Sequence, residues 1–213
     1  MSTEPTTKPL LRGWPHLIGV ILLLALSPLL FLRARSGAEE GWTLCFVLGV
    51  AAMMIVSALF HRVNWQPDAR RRWKRADHST IFAAIAGSYF AIAGLTLRGT
   101  TRWVLLLVIG VGAIVGIVIR QFALYAPKWV NTLPYVVVGW AAVAVLPQLQ
   151  RGGGTSFVWL VLAGGLAYTL GAVAYGAKRP RLSPRVFGYH ELFHVCTLLG
   201  AGCHFAAIYL VLR

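Results

Sequence analysis

Two histidines four residues apart open a long apolar stretch near the end of the chain, Tyr189 to Phe205, written YHELFHVCTLLGAGCHF. On a helix that spacing stands His190 and His194 one turn apart on the same face. Ionisable groups are costly to keep in a hydrophobic span, so two neutral imidazoles on one face point to a shared metal ion. A polar seam between helices would use the same residues, and the pair alone does not separate the two readings. HELFH also satisfies the zinc-protease pattern HExxH, which is too short to decide the matter. The decision turns on whether other parts of the chain bring a third ligand to the same depth.

The elements that would position such a site follow from composition. The chain has 213 residues, 58% hydrophobic and 12% charged, in apolar runs longer than a soluble core helix needs. That is a polytopic membrane protein. No loop between runs exceeds about fifteen residues, too short to bury a core of its own. The formal charge of +14 would suit nucleic acid, but the basic residues lie in loops between apolar runs. There they orient a membrane protein and meet anionic headgroups, so membrane lipid and not nucleic acid is the expected partner. Cys45, Cys196 and Cys203 fall inside apolar runs and form no framework. Cys196, two residues past His194, points to another face of its helix.

The expected architecture is all-α, a single seven-transmembrane-helix domain over residues 1–213, with spans at about 17–32, 42–61, 78–97, 103–119, 133–147, 157–175 and 184–212. The first is short and follows Lys8 and Arg12 as a signal peptide would. It lacks a small-residue cleavage site and closes on Arg33 and Arg35, so it is read as retained. Gly112 and Gly116 in the fourth span allow a close helix neighbour. Trp129, Tyr135 and Trp140 are expected as interfacial anchors of the fifth. Gly152, Gly153 and Gly154 read as a flexible loop, and without a following Lys and Ser or Thr they are no phosphate cradle. Ser183 and Pro184 look like an N-cap and a first-turn proline, which starts the seventh helix at Pro184. Most of the basic residues, including Arg62, Arg70, Arg71, Arg72, Lys74 and Arg75, fall on the side of the N-terminal tail. The positive-inside rule then places the N-terminus in the cytoplasm and the C-terminus outside.

This topology supplies the missing ligand. His61 closes the second span on the tail side, Asp77 and His78 open the third there, and His190 and His194 occupy the early turns of the seventh. Counting arginines, which uses none of these residues, brings three histidines and a carboxylate to one level. Three protein ligands with an open fourth position are the arrangement of a catalytic zinc, whereas a structural site closes with four. Imidazole also suits copper, iron or nickel; zinc comes first because no thiolate or redox companion accompanies the set. Each residue has a plainer reading. His61 alone would be interfacial, Asp77 would be the N-cap of the third helix, and Ser57, one turn before His61, would bond a carbonyl one turn back. His16 and His78 are expected at the interface. His204 lies ten residues and about 15 Å beyond His194, outside the same set. Glu191 points off the histidine face and is expected at headgroup level instead of acting as a general base.

The set SALFH in the second span, Asp77 and His78 before IAGSY in the third, and HELFHVCTLLGAGCHF in the seventh resembles the hemolysin III and progestin/adipoQ receptor family. The resemblance covers essentially the whole chain, and the short N-terminal tail is similar to the bacterial hemolysin III branch. It implies a seven-helix fold in a bacterial cytoplasmic membrane, with a zinc ion near the cytoplasmic face. Carried over by residue, the ligands are His61, His190 and His194, with Asp77 holding a water at the ion and Ser57 beside it. Receptor members are linked to ceramide hydrolysis, and bacterial members are named for haemolysis. The expected function is a zinc-dependent hydrolase of a lipid amide or acyl bond, ceramidase-like, in which Asp77 takes a proton and Ser57 bonds the developing oxyanion. The alternative is a membrane-stress sensor, receptor-like module or cytolysin whose metal is structural. One departure stands out: many members follow GSY with Thr-Pro, where this chain has Phe90 and Ala91. That bears on a kink in the third helix and not on the ligands. Other classes lack a needed residue: the last span has no lysine for retinal, and too few carboxylates lie at membrane depth for cation transport.

Overall fold

The computed structural model describes residues 8–122, 127–180, 183 and 185–212. Pro184 and the side chain of Trp129 lie outside the described residues. Seven helical stretches are long and apolar enough to cross a membrane. The described residues contain no strand, only an isolated bridge between Ser183 and Phe187.

α1 (Trp14–Phe31) opens on a proline in its first turn after Gly13, which takes the left-handed conformation at φ 80°. α2 (Gly37–Arg62) is capped by Ser36, whose hydroxyl accepts the Glu39 amide at 3.3 Å. Glu39 and Glu40 in its first turn and His61 and Arg62 in its last complement the helix dipole. α3 (Pro67–Thr96) starts well before the apolar run it carries. Residues 69–76, ARRRWKRA, are good helix formers although polar, and Pro67 suits a first turn. Asp77 is therefore not the N-cap of this helix, a position held by Gln66, but lies about 15 Å along it and is buried.

α4 (Gly99–Phe122) faces outward with Trp103, Leu107 and Ile114 largely exposed. Its Gly116 receives the Phe82 ring; a Cβ there would sit 2.2 Å from Phe82 Cζ. The fifth span is broken into α5 (Lys128–Gly139), a 3-10 turn (Ala141–Val145) and α6 (Leu146–Gly153). Pro147 in the first turn of α6 lacks the amide a continuous helix needs. Tyr89 of α3 repairs the break: its hydroxyl donates to the Gly139 carbonyl at 2.7 Å and accepts the Ala142 amide at 2.8 Å. Gly152 and Gly153 belong to α6, so only Gly154, at φ 84°, forms the turn into α7 (Thr155–Ala177).

α8 (Tyr189–Val211), with Gly188 as its N-cap, starts at Tyr189, five residues later than the expected start at Pro184. The preceding residues are committed elsewhere: Arg185 and Val186 accept the amides of Leu10 and Leu11 at 2.9 and 3.2 Å, and Ser183 pairs with Phe187. That ties the N-terminal segment to the entry of the last helix. α2 lies along α3 and α7 along α8, with α1 touching both α2 and α8. Backbones of α2 and α3 come close at Gly49 and Gly87, where a Cβ on Gly87 would stand 2.3 Å from the Cys45 carbonyl oxygen. Close approach over small residues is the usual way apolar helices associate in lipid.

The contact at Gly87 predicts that Gly87→Val lowers stability by about 1–3 kcal/mol, the usual cost of overpacking. The fall is read as a lower melting temperature in detergent. Gly41→Ala, where an added Cβ meets nothing within 4 Å, should melt as the parent does.

Candidate metal centre

His61 comes from the last turn of α2, and His190 and His194 from the first turns of α8. One ring nitrogen from each lies within 4.8 Å of the others. His61 Nε2 and His190 Nε2 are 3.1 Å apart. The His61 and His190 rings meet edge to face with centroids 4.6 Å apart, while His194 is tilted to both, at 5.2 Å from His61 and 4.7 Å from His190. Two nitrogens bound at about 2.0–2.1 Å to a tetrahedral ion stand roughly 3.3 Å apart, close to the observed His61–His190 spacing. The residues present thus fit a metal ion, and an all-imidazole donor set suits zinc or a neighbouring divalent metal.

Asp77 and Ser57 border the same place from α3 and α2. Asp77 Oδ2 is 3.9 Å from His61 Nε2, and the Ser57 side chain lies within hydrogen-bonding reach of the Asp77 carboxyl. With Tyr135 and Tyr175 they line a cavity of about 40 Å³ that also receives His190 and His194. A second cavity of about 100 Å³ shares the walls formed by Met53, Ile81, Tyr135 and Phe193. It continues between apolar side chains such as Ile85, Ile92 and Val161 and reaches His204. His204 is thus apart from the three imidazoles, and Cys196 packs toward Gly171 of α7.

Three residues stand elsewhere than expected. Glu191 does not face the headgroups but turns into the protein: it is 1% exposed, forms an ion pair with Arg12, and accepts the Gly188 amide at 2.8 Å. A carboxylate that sits off the histidine face still turns inward when a cation waits there. His16 is not interfacial either; it is 2% exposed and stacks on His194 with centroids 4.0 Å apart and planes within 7°. His78 lines the smaller cavity and contacts the buried Arg120 guanidinium. Sequence reasoning missed Arg12, Thr197, Tyr175 and Arg120 at this site, and it expected Tyr135, which lines the cavity, as an interfacial anchor. Only Thr197 had a usable signal, since three residues past His194 is the same helix face.

A profile of the family described as haemolysin-III related matches residues 5–205. The chain belongs to the haemolysin-III-related family. It is 30% identical to Hemolysin-3 of Bacillus cereus, over 97% of this chain and 92% of that protein. It is 28% identical to the Hemolysin-3 homolog of Bacillus subtilis (strain 168), over 91% and 89%. Monocyte to macrophage differentiation factor of Homo sapiens is 27% identical over 76% of this chain and 66% of its own length. The family resemblance drawn from the three motifs therefore holds. With its seven apolar helices and its Bacillus relatives, this haemolysin-III-related chain is an integral membrane protein of a bacterial membrane.

Removing one partner of a buried ion pair leaves an uncompensated charge, so Arg12→Ala should destabilise the protein by on the order of 3 kcal/mol. Adding Glu191→Gln to that variant should recover part of the loss. Thermal melts of the two variants in detergent decide it: equal melting temperatures would mean that the pair does not matter.

Proposed function

We propose that this haemolysin-III-related protein is a zinc-dependent hydrolase of a lipid amide or acyl bond. The observation that carries the reading is the carboxylate of Asp77, buried in the apolar bundle, 3.9 Å from His61 Nε2 and lining the same cavity as His190 and His194. His61, His190 and His194 would hold zinc, which supplies a Lewis acid for a carbonyl and an activated water near neutral pH. Asp77 accepts the proton given up as the nucleophile attacks and returns it to the leaving amine or alkoxide. Ser57 can donate its single hydroxyl proton to the ionised Asp77 carboxylate, and once Asp77 has taken the proton that donor is freed for a developing oxyanion. The adjoining apolar cavity takes an acyl chain, so a membrane lipid presents its polar linkage to the histidines. In the orientation set by the basic loops this end of the bundle faces the cytoplasm, with the N-terminus inside and the C-terminus outside a cytoplasmic membrane.

A second reading has an observation of its own. α2 packs on α1 and α3, and α8 on α7, α1 and α3. α2 and α8 meet through side chains, the imidazoles at one end and Phe46 with Phe205, ring centroids 6.5 Å apart, further along. A metal there would clasp the two helices in a protein that acts as a sensor, receptor-like module or cytolysin.

The hydrolase reading expects Asp77→Asn to keep stoichiometric zinc in detergent while losing about 10²–10⁴-fold of kcat on lipid amides such as ceramide. His190→Ala and His194→Ala should lose both metal and turnover. Metal analysis alongside released fatty acid measures this, and a zinc-loaded parent that releases no fatty acid would favour the clasp.

A further inference from the structure

The first turn of α1 is wedged between the two helices that carry the imidazoles. At Gly13 the chain runs so close to α2 that an added Cβ would meet Arg62 Cγ at 2.9 Å and His61 Cβ at 3.0 Å. Trp14 carries the Arg62 guanidinium over its ring, 4.0 Å from the centroid. Arg12 reaches Glu191, the neighbour of His190. One turn further on, His16 lies flat on His194.

The hydrogen bonds around this stack fix its chemistry. Thr197 donates its single hydroxyl proton to the His194 carbonyl at 2.7 Å, and the same oxygen is 2.8 Å from His16 Nε2. With that proton committed, His16 must donate, so its Nε2 carries a proton. The stack also removes His16 from the ligand set. A ring nitrogen offers its lone pair in the plane of the ring, and two nearly parallel rings 4.0 Å apart cannot both hold one ion in plane. What the stack can do is set the plane of His194. An imidazole turns easily about its outer side-chain torsion, and in metal sites a hydrogen bond to the second ring nitrogen usually fixes the ring. His194 Nδ1 is buried and has no such partner among the described residues.

We infer that His16 is a positioning residue for the metal, its ring face holding the His194 imidazole in the plane that meets His61 and His190, while Thr197 and the α1 wedge hold His16. This rests on the reading of the three imidazoles as a metal site and is independent of any hydrolase activity. Outer partners of metal-binding histidines typically contribute 10–100-fold in affinity, and the stack takes that part here.

The test uses the full-length protein in detergent, with zinc affinity from chelator competition, the absorption spectrum of the cobalt-loaded protein, and melting of the metal-free protein as a check on folding. His16→Ala should bind zinc about 10–100-fold more weakly and shift the cobalt spectrum while the metal-free protein still melts cooperatively. His16→Phe keeps a ring face without the N–H and leaves the Thr197 bond to the His194 carbonyl intact, so it should recover most of the affinity and the parent spectrum. Parent affinity and spectrum in His16→Ala overturn the inference while leaving the metal site standing. So does a loss in His16→Ala that His16→Phe fails to recover. Should His16→Ala not fold, His16→Phe decides alone, parent-like binding supporting the inference and weak binding overturning it. A parent protein that takes up neither zinc nor cobalt overturns the metal reading and this inference with it.

Discussion

Polar side chains buried in an apolar bundle must find one another, and the arrangement of this protein follows from that. Three imidazoles, a carboxylate and a serine hydroxyl are gathered where one end of α2 and of α8 meets α3 about 15 Å along its length, and each has a polar neighbour instead of lipid. The gathering is possible because the helices come in close pairs. Gly49 and Gly87 let α2 and α3 nearly touch, and Gly171 and Gly200 let α7 and α8 interlock with Cys196 and the Tyr168 ring. α2 and α8 then stand on opposite sides of the cavity with only side chains to join them. α1 closes the arrangement from outside, binding Glu191 at the start of α8 and pressing on His61 at the end of α2.

The same rule governs the backbone of the fifth span. A helix broken at membrane depth frees amides and carbonyls that lipid cannot satisfy, so the break must lie against protein. Tyr89 supplies both a donor and an acceptor to it. Trp140 adds a bond from its indole to Thr169 at 2.9 Å, and Tyr135 donates to the His78 carbonyl at 3.0 Å. The tyrosine of IAGSY therefore acts across the cavity on a different span, and it does so without a proline kink in α3.

Sequence spacing was informative where the chemistry is local to a helix and uninformative where it is not. The i,i+4 relation of His190 and His194, the family motifs, and the loop charges that brought His61 level with them all read directly, because helical period and topology are regular. The third helix starts well before the expected residue 78, and the plainer reading of Asp77 as its cap fails, because hydropathy begins a helix where the apolar residues begin, whereas the polar stretch before it is strongly helical. Glu191 and His16 were misplaced for another reason: their partners, Arg12 and Thr197, are separated from them by most of the chain. No local pattern encodes such a pair. A lone histidine at the entrance of a first span looks the same whether it faces headgroups or another imidazole.

The walls of the cavity differ in how firmly they are held, and this bears on how a lipid would reach the histidines. In the apolar windows of α2 and α3, 56% of residues are buried within the protein, against 17% in the broken fifth span. α5 also carries Pro134 and ends in the 3-10 turn. Local opening is cheapest where few apolar contacts and few regular hydrogen bonds must be given up. Tyr135, Val136 and Gly139 of α5 line the larger cavity, so displacing this span would open that cavity at the cost of the Tyr89 and Tyr135 hydrogen bonds that tie it to α3. A rigid polar centre beside a yielding apolar wall would admit an acyl chain sideways from the membrane while the histidines stay in register.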